Sequence, residues 1–409
     1  MSDARAIAEE TARASYGRLL AWLCSRTGDV AQAEDALADA FRAALENWPR
    51  SGAPASPEAW IITAARRKLI DNARRATTRN AALNDLLLAA EEAESKSQSE
   101  TPFPDERLKL LFICAHPAID QSIRTPLMLQ TVLGLDAARI ASAFLTSPNA
   151  MSARLVRAKR KIKKAAVPFV EPALENLNDR LVAVLDAIYA AFGAGWDALD
   201  SAQGGDLTGE ALFLAKLLTD LLPDQPEAWG LLSLMAHAEA RRDARRVEGA
   251  YVPLSDQDIS LWDRELIVFA EQSLARAWEF RRPGRYQLEA AIQSAHATSR
   301  IAERDVTPDI IALYESLLQV APSVGAEIGY AAALANANRP RDGLARLDGI
   351  DASLIEAHQP FWAVRAHILK SLGQKELADV AFDRAIGLST DDSSRQFLAT
   401  KKTARTSWV

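Results

Sequence analysis

Residues 134–164 read GLDAARIASAFLTSPNAMSARLVRAKRKIKK. Two helical stretches meet there at a tight turn: Asp136 to Phe144, then Leu145-Thr146-Ser147-Pro148, then a second helix from Asn149. Ser147 can accept a backbone N–H at the start of that helix, and Pro148 carries the fixed φ of a first helical position. Met151, Leu155, Ala158 and Ile162 follow at spacings of four, three and four, which is an inward stripe. Seven cations and no acid stand between Arg154 and Lys164, so the remaining faces are basic. A helix of this kind fits a DNA major groove. Its early residues Asn149, Ala150, Ala153 and Arg154 would face base edges, with Arg157 and Lys161 better placed for phosphates. A solvated basic helix in a bundle would show the same charge pattern without the turn chemistry.

Upstream, Ser56-Pro57-Glu58 starts another helix, which runs to about Arg75. Arg66, Arg67, Lys68, Arg74, Arg75 and Arg79 surround its apolar residues Trp60, Ile61, Ala65, Leu69 and Ile70, and among them only Asp71 is acidic. Trp48 and Trp60 bracket the Pro/Ser/Gly/Ala loop before it. Aromatic rings beside a basic helix suit single-stranded DNA, where every base offers a π-face and every phosphate a charge. A core position is the other reading of each Trp. Earlier still, Ala31 to Phe41 forms an acidic amphipathic helix with Asp35 and Asp39 four apart on one face.

The chain has 409 residues, which points to two or three domains. Apolar residues recur at three- and four-residue spacing almost throughout, so the expected fold class is all-α with no sheet. Residues 1–170 hold 24 Lys+Arg against 19 Asp+Glu, and residues 171–409 hold 24 against 35. A basic half suggests a polyanionic partner; the acidic half does not. No stretch suits a membrane span or a signal-peptide core, and a cytoplasmic protein is expected. The two cysteines, Cys24 and Cys114, sit in apolar settings. The five histidines show no metal-ligand spacing and no phosphate loop follows a strand, so no metal, no cofactor and no enzymatic activity are expected.

The order of these motifs resembles the extracytoplasmic-function (ECF) sigma factors. The acidic helix reads A-E-D-A-L-x-D-A-F, the basic helix P-E-A-W-I-I-T-A-A-R-R-K-L-I-D-N-A-R-R, and the helix-turn-helix ends R-L-V-R-A-K-R-K-I. The resemblance implies sigma region 2 at 1–79, an acidic linker at 80–104, sigma region 4 at 105–168 and, as in one subgroup, a C-terminal TPR-like helical extension at 169–409. It implies docking of Asp35, Leu37, Asp39 and Phe41 on the clamp helices of the large subunit of core RNA polymerase. Trp48, Trp60, Arg66, Arg67, Arg74 and Arg75 would take the minus-10 strand of promoter DNA. Asn149, Ala150, Ala153, Arg154, Arg157 and Lys161 would read minus-35. Ala38 stands where the family commonly has Gln, and Cys114-Ala115-His116-Pro117 where it has Cys-Cys-His-Pro.

The extension contains one helix pair with TPR-like spacing, from Trp362 through Leu369, Leu372-Gly373, Ala378, Phe382 and Ala385. Its acidic surface could lie over the basic helices in an intramolecular contact, or it could be an arm that activity requires. Two other functions fit the sequence: a helix-turn-helix regulator that does not engage polymerase, and a TPR-like scaffold.

Overall fold

A computed structural model describes residues 2–77, 105–144, 146–164, 176–197 and 207–404. The expected linker at 80–104 and the prolines Pro168 and Pro172 lie outside the described residues. Among the described residues the fold is all-α apart from a two-stranded ribbon, and the chain divides into two compact units, Met1–Pro223 and Asp224–Val409.

The first unit begins with α1 (Ser2–Thr27), α2 (Val30–Ser51) and α3 (Pro57–Thr77). Gly28 ends α1 in the left-handed region at φ 63°, a conformation open to glycine at little cost. Asp29 then caps α2, its carboxylate accepting from the N–H groups of Ala31 and Gln32 at 3.0 and 3.1 Å. The inward face of α2 is Val30, Ala33, Ala36, Leu37, Ala40, Ala44 and Trp48.

Among the described residues there follow α4 (Glu106–Cys114), α5 (Gln121–Thr131), α6 (Ala137–Ala143) and α7 (Pro148–Lys164). All residues of α4 from Leu110 to Cys114 are buried, as expected of a helix surrounded by others. Gly17 of α1 meets Val132 at the end of α5 so closely that a Cβ there would lie 1.8 Å from the Val132 carbonyl oxygen. Backbone packs on backbone at that point. Cys24 and Cys114 are both buried and free; burial pushes the Cys114 thiol up to about 12 and the Cys24 thiol well above its ordinary value.

The first unit continues through α8 (Asn178–Asp197) and α9 (Leu207–Leu221), beyond the boundary at 169 expected from sequence. The reason is contact: α8 packs on α5 and α4, and Arg180, only 9% exposed, donates to the Phe112 carbonyl at 3.0 Å. Arg107 of α4 pairs with Glu210 of α9 and lies over the Phe213 ring.

The second unit contains α10 (Pro226–Glu239), the ribbon β1 (Arg246–Val247) and β2 (Ala250–Tyr251), α11 (Arg264–Glu279) and α12 (Arg285–Ala302). It continues with α13 (Thr307–Val320), α14 (Val324–Asn336), α15 (Pro340–Asp348), α16 (Ala352–Ile355), α17 (Gln359–Ser371), α18 (Lys375–Leu388) and α19 (Asp392–Thr403). The ribbon departs from the expectation of no strand. Glu248 and Gly249 both have positive φ, 51° and 80°, which matches the twist of a two-residue hairpin. Tyr251 packs edge-on against Phe397 of α19 with centroids 5.1 Å apart. In α17 and α18, Ala366, Leu369, Ala378, Phe382 and Ala385 form one apolar cluster against Trp362.

The first turn of α12 lacks a local side-chain cap, because Gly284 precedes it. Glu227 of α10 supplies one instead, accepting from the N–H groups of Tyr286 and Gln287 at 2.9 and 3.2 Å. A carboxylate satisfying orphan donors at a helix start also meets the positive end of its dipole.

Candidate nucleic-acid interface

The helix-turn-helix consists of α6 and α7. Asp136 caps α6 through the N–H groups of Ala138 and Arg139, both at 2.9 Å, and the Ser147 hydroxyl accepts from Ala150 N–H at 3.3 Å. Met151, Leu155 and Ala158 are buried while Ile162 is half-buried, so the apolar stripe orients the helix. Asn149, Ala150, Ala153, Arg157 and Lys161 are exposed on its other faces. Arg154 is half-buried and donates to the carbonyl and hydroxyl of Ser122 at 3.1 and 3.2 Å, so base contact by Arg154 requires release from α5. Between α7 and the start of α5 lies a cavity of about 270 Å³ floored by Ile119, Ile123 and Ala158 and rimmed by Arg154, Arg157 and Lys161.

Lys159 behaves differently from the cations around it. Its ammonium donates to both oxygens of Glu34 on α2, each at 2.6 Å, with both side chains largely buried. α7 is therefore tied to α2.

On α2, Asp35 is exposed and Phe41 half-buried, its ring 6.5 Å from Tyr16. Asp39 pairs with Lys68 of α3 at 2.8 Å and with Arg42 at 2.6 Å. The Lys68 hydrogen bond, with Lys68 and Arg42 charges beside it, holds the Asp39 carboxyl below its usual range. Leu37 corrects the expectation of a docking role. It has no exposed surface and belongs to the core, because it falls on the same stripe as Ala33, Ala40 and Ala44.

Trp48 is corrected in the same way. It is 1% exposed and packs against Trp60, with centroids 5.4 Å apart in an edge-on arrangement, so its ring belongs to the core and not to the surface. Trp60 is half-buried, and Arg66 and Arg67 are exposed. Arg74 and Arg75 lie within α3, but their side chains are outside the described residues. Sequence reading missed Trp22 on α1, which is half-buried, with the Arg26 guanidinium 3.7 Å and that of Arg66 5.9 Å from its ring centroid. The i, i+4 spacing of Trp22 and Arg26 was the available signal.

Residues 12–79, which span most of α1 and all of α2 and α3, match the family Sigma-70 region 2. That match supports an RNA polymerase sigma-factor role, with core polymerase and promoter DNA as partners. Residues 180–278 match DUF6596, a family of unknown function. The uncharacterized protein R00370 of Rhizobium meliloti (strain 1021) is 36% identical over 374 residues, which cover 90% of this chain and 88% of that protein. The chain belongs to the same family as that protein. No solved structure matches. Among the described residues no helix is long and apolar enough to cross a membrane, and no cluster of His, Cys, Asp or Glu could hold a metal ion.

Proposed function

We propose that this chain is a non-enzymatic sigma factor of the ECF type that acts in the cytoplasm, docking on core RNA polymerase and directing it to promoters. The observation that carries the reading is the coincidence of the Sigma-70 region 2 match with α1–α3, followed by a helix-turn-helix whose outer face is basic. In this reading Asp35, with Asp39 and Phe41 beside it, meets the clamp helices of the large subunit. Trp60, Arg66 and Arg67, with Arg74 and Arg75, take the minus-10 strand. Asn149, Ala150 and Ala153 approach minus-35 base edges, Arg154 joins them on leaving Ser122, and Arg157 and Lys161 hold phosphates. The second unit is a TPR-like helical arm that supports or regulates initiation. Purified core polymerase should yield transcripts on a genomic promoter library only when this protein is added; DNA binding without association with polymerase would favour a plain regulator.

Binding both promoter elements at once requires the first unit to open. Elements about 25 base pairs apart lie about 85 Å apart at 3.4 Å per step, whereas a compact unit of this length has a radius of gyration of about 17 Å. The contacts that must part include Lys159–Glu34, the packing of Gly17 on Val132 and the packing of α1 on α4. Spin labels at Thr63→Cys and Ala150→Cys, with buried Cys24 and Cys114 left unlabelled, should report a short separation in the free protein. Adding core polymerase and promoter DNA should lengthen it to several tens of ångströms. A separation unchanged in a transcribing complex would show that no opening occurs.

A further inference from the structure

Arg241 lies at the end of α10 and is 9% exposed. Its Nη2 donates to Gln293 Oε1 at 2.5 Å, its Nη1 has no hydrogen-bond partner, and no carboxylate is paired with it among the described residues. Burial alone lowers it to about 10, so it stays charged at neutral pH. A buried guanidinium left without a counter-charge is costly to a fold, because desolvation is not offset by a paired charge.

The surroundings of Arg241 share this surplus of donors. Trp262, 4% exposed, has its ring centroid 5.8 Å from the guanidinium and leaves its Nε1–H unpartnered. His237, one helical turn before Arg241, is 1% exposed; its Nε2 makes no hydrogen bond, and Glu271 stands 3.4 Å away with Oε1 already accepting from Ser294. Gln293, His296 and Arg300 lie on one face of α12, and the Nε of Arg300 is also unpartnered. Burial, then the charge of Arg241, lowers both His237 and His296 to about 4, so both imidazoles are neutral.

Above this cluster runs the connection 240–263 between α10 and α11. It is long for a link between packed helices, yet it is ordered: Trp262 packs with Ala240, Ala244 and Ala297 over Leu254 and Ile259, and Arg300 donates to the Gln257 carbonyl at 2.8 Å. The roof is built from the same residues that surround the unpaired cation.

We propose that Arg241, the Trp262 indole N–H and the imidazoles of His237 and His296 form a buried receptor for a small oxyanion, phosphate or carboxylate, closed over by residues 240–263. One anion would neutralise Arg241 and accept the orphan donors together. The site lies within the second unit and stands whether or not the first unit acts as a sigma factor.

Isothermal titration and thermal unfolding of the full chain with inorganic phosphate, acetate and chloride at matched ionic strength test it. Saturable binding of phosphate or of acetate is expected, with the unfolding midpoint raised by about 5 °C or more at saturation; the anion that binds identifies the ligand class. In Arg241→Gln and Arg241→Met the binding should be lost while the midpoint without anion is unchanged or higher, since an unpaired buried charge has been removed. Absence of saturable binding by the wild-type chain would overturn the proposal without reference to any variant. Equal binding by wild type and the Arg241 variants would overturn it too, because the anion would then sit elsewhere.

Discussion

Asp35→Arg should reduce polymerase-dependent transcription by about tenfold or more while leaving the unfolding midpoint within experimental error. Asp35 is exposed on α2 and contributes nothing to the core, and surface substitutions of this kind usually change stability by less than about 0.5 kcal/mol. A reversed charge at an electrostatically matched interface disfavours association by at least about 1.4 kcal/mol, which is the tenfold expected. Asp39→Arg makes a poorer test of docking. It would set a third cation beside Lys68 and Arg42, loosening α3 from α2, so lost transcription would be accompanied by lost stability. Wild-type transcription by Asp35→Arg would remove α2 from the polymerase contact.

Gly17→Val should destabilise the first unit by about 3 kcal/mol or more, lowering its unfolding midpoint by about 6–12 °C. In an unencumbered helix, replacing glycine gains stability through propensity. Here the sign reverses, because a Cβ would lie 1.8 Å from the Val132 carbonyl oxygen and 2.9 Å from its carbon. Backbone cannot rotate aside as a side chain can, so α1 and the end of α5 must separate, reopening a core that includes Leu20, Leu108 and Leu111. Gly193→Ala on α8 is the control, since a Cβ there meets nothing within 4 Å, and it should be neutral or slightly stabilising. Thermal unfolding of the full chain by circular dichroism reads both. A Gly17→Val protein as stable as wild type would mean that α1 and α5 do not pack as described.

Local features of this protein were legible in its sequence because they depend on neighbours a few residues away. Gly28 and Asp29 end one helix and cap the next; Ser147 and Pro148 open α7; Met151, Leu155 and Ala158 mark its inner face by spacing alone. The misplaced Leu37 and Trp48 were also readable, since Ala33, Leu37, Ala40, Ala44 and Trp48 recur at four, three, four and four. The ribbon escaped because two residues a side give no alternation to detect.

The amino-acid sequence by itself determined that the chain is helical, where several helices begin and end, and which face of α7 is basic. Tertiary structure alone decided which of those cations remain available and which are committed. Lys159 is bound to Glu34 across 125 residues, Lys68 to Asp39 from a neighbouring helix, and Arg241, among the described residues, to no carboxylate. Charge and periodicity are properties of a segment, whereas pairing and desolvation depend on what the fold brings alongside it, and these contacts join residues too far apart for any local pattern to link them.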